Sequence, residues 1–340
     1  MRISLLLTRL AHLVPVLFGV SLLVFMIMHI TPGDPIELMM SQAGGVTDEQ
    51  IQSIRAEYGL DKPIYVQYIS FVTRAVRGDL GSSFVHKRPV TDVIAARVPA
   101  TVELTVVALV FSLAIAIPLG VISAAKQYSL LDKGGSVFAL FGVSMPGFWL
   151  GIVLIIVFGA HLGWLPTSGR LSDGMALESR TGYYLLDSIL SGNTHAFIDA
   201  LRHLILPAIT LGAALTAISM RLTRSSMLDV IRQDYVTFAK AKGLPSTVVI
   251  VKHALRNALI PTITLAAVQV GVLLSGNMIV ETVFGWPGIG SLAVNAINAR
   301  NYPLVQGVVL IYAVSYVVLN LVADILCTYL NPRLRKGKAA

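Results

Sequence analysis

The chain has 340 residues, 55% of them hydrophobic and only 13% charged, with a mean hydropathy of +0.75. A soluble domain carries about 25% charged residues, so this composition excludes one and indicates an integral membrane protein. The formal net charge of +8 does not point to nucleic acid, because no basic patch is interleaved with exposed aromatics.

Six stretches are long enough to cross a bilayer at about 20 residues each. They run from Ala11 to Ile30, Leu104 to Ala124, Val137 to Ala160, Leu204 to Met220, Thr262 to Val280 and Leu304 to Leu326. The expected fold is all-α, with six transmembrane helices. The N-terminus has the charged and apolar regions of a signal peptide, but the apolar run is too long and no Ala-x-Ala site follows, so it reads as an uncleaved first helix. Placing alternate connections on alternate sides gathers 15 of the 26 cations on one side beside three acids, Asp132, Asp229 and Asp234. The positive-inside rule makes that side cytoplasmic and puts both termini there. The expected segments are 1–30 for the N-terminus and first helix, 31–100 for a large extracytoplasmic loop, 101–330 for the transmembrane core and 331–340 for a cytoplasmic tail. Within the core lie an extracytoplasmic insert, 161–203, and a cytoplasmic loop, 221–260, between the fourth and fifth helices.

The first span ends at Thr31, Pro32, Gly33, Asp34 and Pro35, where two prolines and a glycine stop a helix. The following loop contains a weakly amphipathic piece, Asp48 to Tyr58, and a second piece, Tyr65 to Val76. By itself it reads as a lid that caps the helix bundle. The third span carries Ser144, Met145, Pro146 and Gly147 in its middle. Proline at that depth frees a carbonyl and bends the helix, which suits a kink beside a pathway or a notch for a crossing helix. A lone cysteine, Cys327, allows no intramolecular disulfide.

The cationic stretch from Arg221 to Pro261 contains a complete short helix. Asp234 supplies an N-cap or first-turn anion, Lys240 and Lys242 the last-turn cations, and Gly243 with Pro245 the stop. About two turns of helix are too short to be stable alone in water, so a partner surface must hold it. Tyr235, Phe238 and Ala239 fall at i, i+3 and i+4 and form one apolar face. By itself this reads equally as an amphipathic helix lying on lipid headgroups.

The fifth span holds Gln269, Gly271, Ser275, Gly276 and Asn277, where small residues favour close helix contact. After Glu281, the run Phe284, Gly285, Trp286, Pro287 breaks the helix at the expected outer face, where aromatic rings favour the interface. In the sixth span Tyr312, Tyr316, Asn320 and Asp324 recur at steps of four, a polar stripe that must face protein or water. It serves either helix packing or a translocation path, for which Gln269 and Asn277 are further candidates.

Three sets of residues carry a resemblance. The start Asp234-Tyr235, the run Ala239-Lys240-Ala241-Lys242-Gly243-Leu244 and the continuation His253-Ala254-Leu255-Arg256-Asn257-Ala258 resemble the ATPase-coupling loop of bacterial ABC importer permeases of the peptide and nickel family. The blocks Thr31 to Pro35, Tyr58 to Pro63 and Gly78 to Ser82 resemble the same family. The insert motifs Ser168-Gly169-Arg170, Thr181-Gly182, Asp187 and Phe197-Ile198-Asp199-Ala200 resemble its dipeptide-permease branch in particular. The broader importer superfamily begins this loop with Glu-Ala-Ala, where this chain has Thr237, Phe238 and Ala239, a departure the peptide branch shares.

The resemblance implies an inner-membrane permease subunit of an ATP-driven importer for dipeptides or short oligopeptides. Its partners would be a second homologous permease, two cytoplasmic ATPase subunits, an extracytoplasmic solute-binding protein and membrane lipid. Asp234, Tyr235, Phe238, Ala239, Ala241, Gly243 and Leu244 would couple it to an ATPase; Asp34, Glu281, Phe284 and Trp286 would form an extracytoplasmic gate or docking face. The same machinery with nickel, haem or glutathione as cargo is the alternative, and an ion-coupled carrier a more distant one. No phosphate-binding G-x-x-x-x-G-K-[ST] occurs, and the seven histidines show no metal spacing. The expectation is therefore a non-catalytic subunit without a bound cofactor, with ATP and Mg on the partner ATPases.

Overall fold

The computed structural model describes residues 15–26, 30, 61–275 and 278–330. Asp34, Asn277, the piece Asp48 to Tyr58 and the tail 331–340 lie outside the described residues, as does the side chain of Asp324. Helices α1 (Pro15–Met26), α2 (Ile64–Val76), α3 (Val90–Ala95), α4 (Val98–Ala125) and α5 (Leu130–Ser144) come first. Helix α6 (Gly147–Leu154) continues into a π-helical turn, Ile155–His161, and is followed by α7 (Tyr184–Leu190), α8 (Thr194–Ile231) and α9 (Asp234–Ala241). A short helical turn, Ser246–Val248, and a second π turn, Val249–Ala254, lead into α10 (Leu255–Ser275). Helices α11 (Met278–Val283), α12 (Ile289–Asn298) and α13 (Tyr302–Leu330) complete the order. Among the described residues the only extended pairing is an isolated bridge between Ser82 and Pro89.

Among the described residues four helical stretches are long and apolar enough to cross a membrane: Val90–Ala125, Thr194–Ile231, Ser246–Leu274 and Tyr302–Ala323. The pair α5 and α6 makes a fifth if counted as one span, but its two halves meet at 106°. The third span, expected to bend at its proline, is broken outright at Met145 and Pro146, where proline cannot donate the next helical hydrogen bond. The fourth span differs most. It was expected over Leu204 to Met220, yet α8 runs 38 residues, about 57 Å, well beyond the roughly 30 Å of a hydrocarbon core. Hydropathy misses its two polar ends, but each buries one face: Ala196, Ala200 and His203 at the start, Thr223, Met227 and Val230 at the finish. The insert therefore gives up 194–203, and the loop gives up 221–231, to helix. The fifth span likewise starts earlier, at Ser246, and α11 is a separate short helix.

Two compact units divide the chain. In the first, residues up to Pro99 together with Gly288 to Val317, α1 lies on α2 through Phe18, Phe25, Tyr68 and Phe71, and the Ser21 and Tyr68 hydroxyls lie 2.9 Å apart. Val90 and Ile94 of α3 are fully buried against Gly307, where a Cβ would stand only 2.4 Å from Val90 Cγ1. Asn301 Nδ2 donates to Ser83 Oγ at 2.7 Å.

The second unit, Ala100 to Pro287 with the end of α13, is built around α8. Glycines set its closest approaches. At Gly120 a Cβ would stand 2.8 Å from the Met220 carbonyl oxygen, and at Gly212 3.0 Å from that of Ala108. Small residues permit such contacts where apolar lipid offers no drive to bring helices together. Thr210 and Thr216 return their hydroxyls to the carbonyls of Leu206 and Gly212, so these buried groups are satisfied within α8.

Candidate functional site

Helix α9 is where the expected coupling residues come together. Its first residue is Asp234, with Gln233 at the N-cap, so Asp234 acts as a first-turn anion. Lys240 lies in the last turn and Lys242 at the C-cap. Gly243 follows at φ +75, the left-handed stop that suits glycine.

The helix has two faces, and they differ from the single face expected. Val236 and Ala239 point inward, at 0% and 6% exposure, and pack with Met227 and Val230 of α8, Ala124 of α4, and Val249, Ala254 and Ala258. Phe238 points outward at 62% exposure, with the Lys242 ammonium 4.6 Å from its ring centroid. Ala239, expected on an outward docking face, therefore belongs to the seat; i and i+1 lie about 100° apart on a helix, which separates it from Phe238. Tyr235 is intermediate in role. Its ring is partly exposed, while its hydroxyl accepts from Asn257 Nδ2 at 2.7 Å and donates to the His253 carbonyl at 3.3 Å, tying α9 to the chain that begins α10.

Beyond the helix, Leu244, Val248 and Val251 are also exposed. Ala241, Lys240, Lys242 and Lys252 are exposed beside them. The result is an apolar surface with a cationic rim, carried on a framework locked from within. Val248, in the helical turn Ser246–Val248, and Val251, in the π turn that follows, were missed at the level of sequence; only the valine content of the stretch hinted at them.

The expected gate residues lie elsewhere in the architecture. Glu281, Phe284 and Trp286 are at most 1% exposed. Thr101 Oγ1 donates to Glu281 Oε1 at 2.7 Å, and Trp286 Nε1 donates to the Ala100 carbonyl at 2.8 Å. Phe284 fills space beside Gly151, where a Cβ would stand 3.1 Å from its Cε2. These three form core, not an exposed docking face. The turn after α11 folds the Phe284 and Trp286 rings back toward α4, α6 and α8, and burial outweighs any preference of the rings for the lipid interface.

Arg170 is the residue that organises this end. Its Nη2 donates to Glu103 Oε2 and, at 2.9 Å, to the Gly182 carbonyl. Its guanidinium carbon stands 3.6 Å from the Tyr184 ring centroid and 5.6 Å from that of Trp286. Glu103 also accepts from the Leu185 N–H at 2.8 Å. Arg170 and Glu103 are thus buried and paired, joining the insert to α4. In the insert, burial pushes the Asp187 carboxyl up, but hydrogen bonds from the Thr181 hydroxyl and the Thr181 and Gly182 N–H groups outweigh it and hold the carboxyl below the usual aspartate range.

Along α13, Tyr312 is buried and Tyr316 exposed, with Asn320 half-buried; Gln269 in α10 is half-buried. Among the described residues no three His, Cys, Asp or Glu side chains converge as a metal site would require.

Residues 116–336 match the family described as "Binding-protein-dependent transport system inner membrane component", and residues 2–105 match its N-terminal companion. The "Di/tripeptide transport system permease protein DppB" of Pseudomonas aeruginosa (strain UCBPP-PA14) is 45% identical over 327 residues, 96% of this chain and 97% of that one. The "Dipeptide transport system permease protein DppB" of Escherichia coli (strain K12) is 43% identical over 335 residues, 98% of each. The "Glutathione transport system permease protein GsiC" of Escherichia coli O6:H1 is 40% identical over 96% of this chain and 97% of its own. Several membrane-length apolar helices, family matches over nearly the whole chain, and full-length relatives above 30% identity make this chain a multi-pass member of the inner-membrane components of binding-protein-dependent transport systems.

Proposed function

We propose that this chain is the permease subunit of an ATP-driven importer for dipeptides and short oligopeptides. It forms half of the translocation path beside a second, homologous permease, and an extracytoplasmic solute-binding protein delivers the cargo. Two cytoplasmic ATPases bind ATP and Mg and do the hydrolysis; this chain catalyses nothing itself. Helix α9 meets one ATPase with Phe238, Tyr235, Leu244 and the lysine rim, and Val236 and Ala239 pass its motion into the helices behind. The observation that carries the reading is this division of α9, a two-turn helix too short to persist alone, into a buried face and an exposed aromatic-cationic face.

The cargo assignment is supported by relatives whose names specify dipeptides or di- and tripeptides at 43% and 45% identity. A glutathione permease at 40% identity keeps a second peptide-like cargo in view. The test is uptake of labelled Ala-Ala by proteoliposomes holding the chain with its natural partners, with ATP enclosed. ATP-dependent uptake competed by unlabelled dipeptides is expected. Competition by glutathione alone would move the cargo assignment, and uptake without ATPase subunits would overturn the importer reading.

A further inference from the structure

The α5–α8 contact poses a mechanical question. On α5 the face toward α8 consists of Gly135, Ala139 and Gly142: Ala139 is fully buried, and a Cβ at Gly142 would stand 3.1 Å from Ala217 Cβ and 3.2 Å from the Ala213 carbonyl oxygen. One large α8 side chain enters this face: the buried Met220 lays its methyl tip over Gly135 and packs with Ala139. Methionine is unbranched and adaptable, so this packing resists α5 sliding along α8 less directionally than a charged fork does.

One directional tie crosses this contact near its end. Arg224 of α8 grips Asp132 of α5 with two parallel bonds, Nε to Oδ1 at 2.6 Å and Nη2 to Oδ2 at 2.8 Å. Asp132 is 4% exposed. Its Oδ2 also accepts the N–H of Tyr128, a non-glycine residue at φ +65, and its own N–H reaches the cap hydroxyl of Ser129. A guanidinium fork on a carboxylate fixes distance and orientation together. On α8, Arg224 stands one turn before Met227 and two before Val230, the residues on which Val236 and Ala239 of α9 are seated.

We propose that the Arg224–Asp132 pair is the strut that carries movement of α9 into α5, and that both are positioning residues for coupled transport. The inference rests on the reading of α9 as the ATPase-facing helix. A push on α9 moves the last turns of α8 with it, and the fork makes α5 follow instead of slipping on its glycine face. The 106° break at Met145 and Pro146 then separates the part that moves from α6 beyond it. With the fork cut, ATP hydrolysis continues and less of its motion reaches α5.

The experiment uses the reconstituted complex with its partners and measures ATP hydrolysed and labelled Ala-Ala taken up in the same vesicles. Asp132→Asn and Arg224→Gln are each expected to lower uptake per ATP about fivefold or more, the scale of an ordinary coupling free energy. The exchanged pair, Asp132→Arg with Arg224→Asp, should recover most of the ratio. An unchanged ratio in both single variants overturns the proposal, and so does loss of assembled complex with a normal ratio in what survives, because that is the signature of a purely structural pair.

A second readout needs no cargo. With Cys327→Ser, spin labels at Thr237→Cys and Lys133→Cys report the separation of α9 from α5. The separation should stay constant between nucleotide-free and ATP-trapped complexes when the fork is intact, and change in Asp132→Asn. A constant separation in both backgrounds overturns the strut. Failure of the wild-type chain to bind ATPase subunits, or to take up Ala-Ala, would instead count against the proposed function, so the two failures are distinguishable.

Discussion

Replacing Val236 by Ala tests whether α9 is held from inside. Val236 is fully buried among Met227, Val230, Val249 and Ala254, so the substitution removes two methylene equivalents from a closed site. At about 0.8 kcal/mol each for transfer, with a further term for the cavity, the seat weakens by about 2 kcal/mol. The helix has eight residues and no independent stability, so the loss falls on its local opening equilibrium. Amide exchange of Phe238 to Lys242, measured by mass spectrometry on the purified chain in nanodiscs, should quicken roughly thirtyfold. Phe238→Ala is the counterpart. Its ring is 62% exposed, so exchange should stay the same or slow slightly, while ATPase binding weakens as expected for a lost aromatic anchor. If Val236→Ala left exchange unchanged, or Phe238→Ala opened the helix with ATPase binding intact, the division of α9 into seat and docking face would be wrong.

Gly120→Ala should destabilise by about 1–3 kcal/mol, because its Cβ meets a backbone oxygen that cannot yield, whereas Gly135→Ala meets the tip of Met220 and should cost little; thermal melting in detergent ranks the two. Arg170→Met leaves Glu103 buried without its partner, so a loss of about 3–5 kcal/mol is expected, and an unchanged melting temperature would refute the assignment. Asp187 has a carboxyl held below its unfolded value of 3.8, so its contribution is fully present above that pH and is lost as pH falls through the lower folded value. Amide protection around Thr181 and Gly182, corrected for intrinsic exchange, should therefore persist at neutral pH and fall only in strong acid, and in Asp187→Asn, whose amide keeps one acceptor oxygen, it should be weaker and no longer change with acid. For topology, a thiol at Gln233 should react only from the cytoplasmic side and one at Asp173 only from outside; the reverse labelling would invert the orientation.

Division of α9 into two faces changes the meaning of one substitution. On a single apolar face, Ala239→Asp would act by placing an unpaired acid in the ATPase cleft. In the structure the same acid lands in the seat with Met227 and Val230, so the helix is expected to detach before any partner is met. Gly243→Leu acts differently, since open space surrounds its Cβ and the cost is backbone strain alone, about 1 kcal/mol or more.

The α-helical membrane class was legible from the sequence because long apolar runs with few charges have no other stable form in lipid. The short helix from Asp234 to Ala241 was legible for a local reason: its first-turn acid, last-turn lysine and left-handed glycine all act within the segment. The break at Pro146 also followed from covalent chemistry that travels with the residue. Helix extent did not. The polar ends of α8 are helical and bury one face, Thr223 against Gly120 and Thr262, which are distant in sequence, and hydropathy averages such positions away. Facing was undecided for the same reason: Phe238 and Ala239 share an apolar character, and only the arrival of Met227, Val249 and Ala254 determines which of them is covered. Arg170 with Glu103, and Arg224 with Asp132, are separated by 67 and 92 residues. A charge in a one-dimensional sequence has no address for its partner, so these pairings, and the burial of Glu281, Phe284 and Trp286, were decided by the tertiary fold alone.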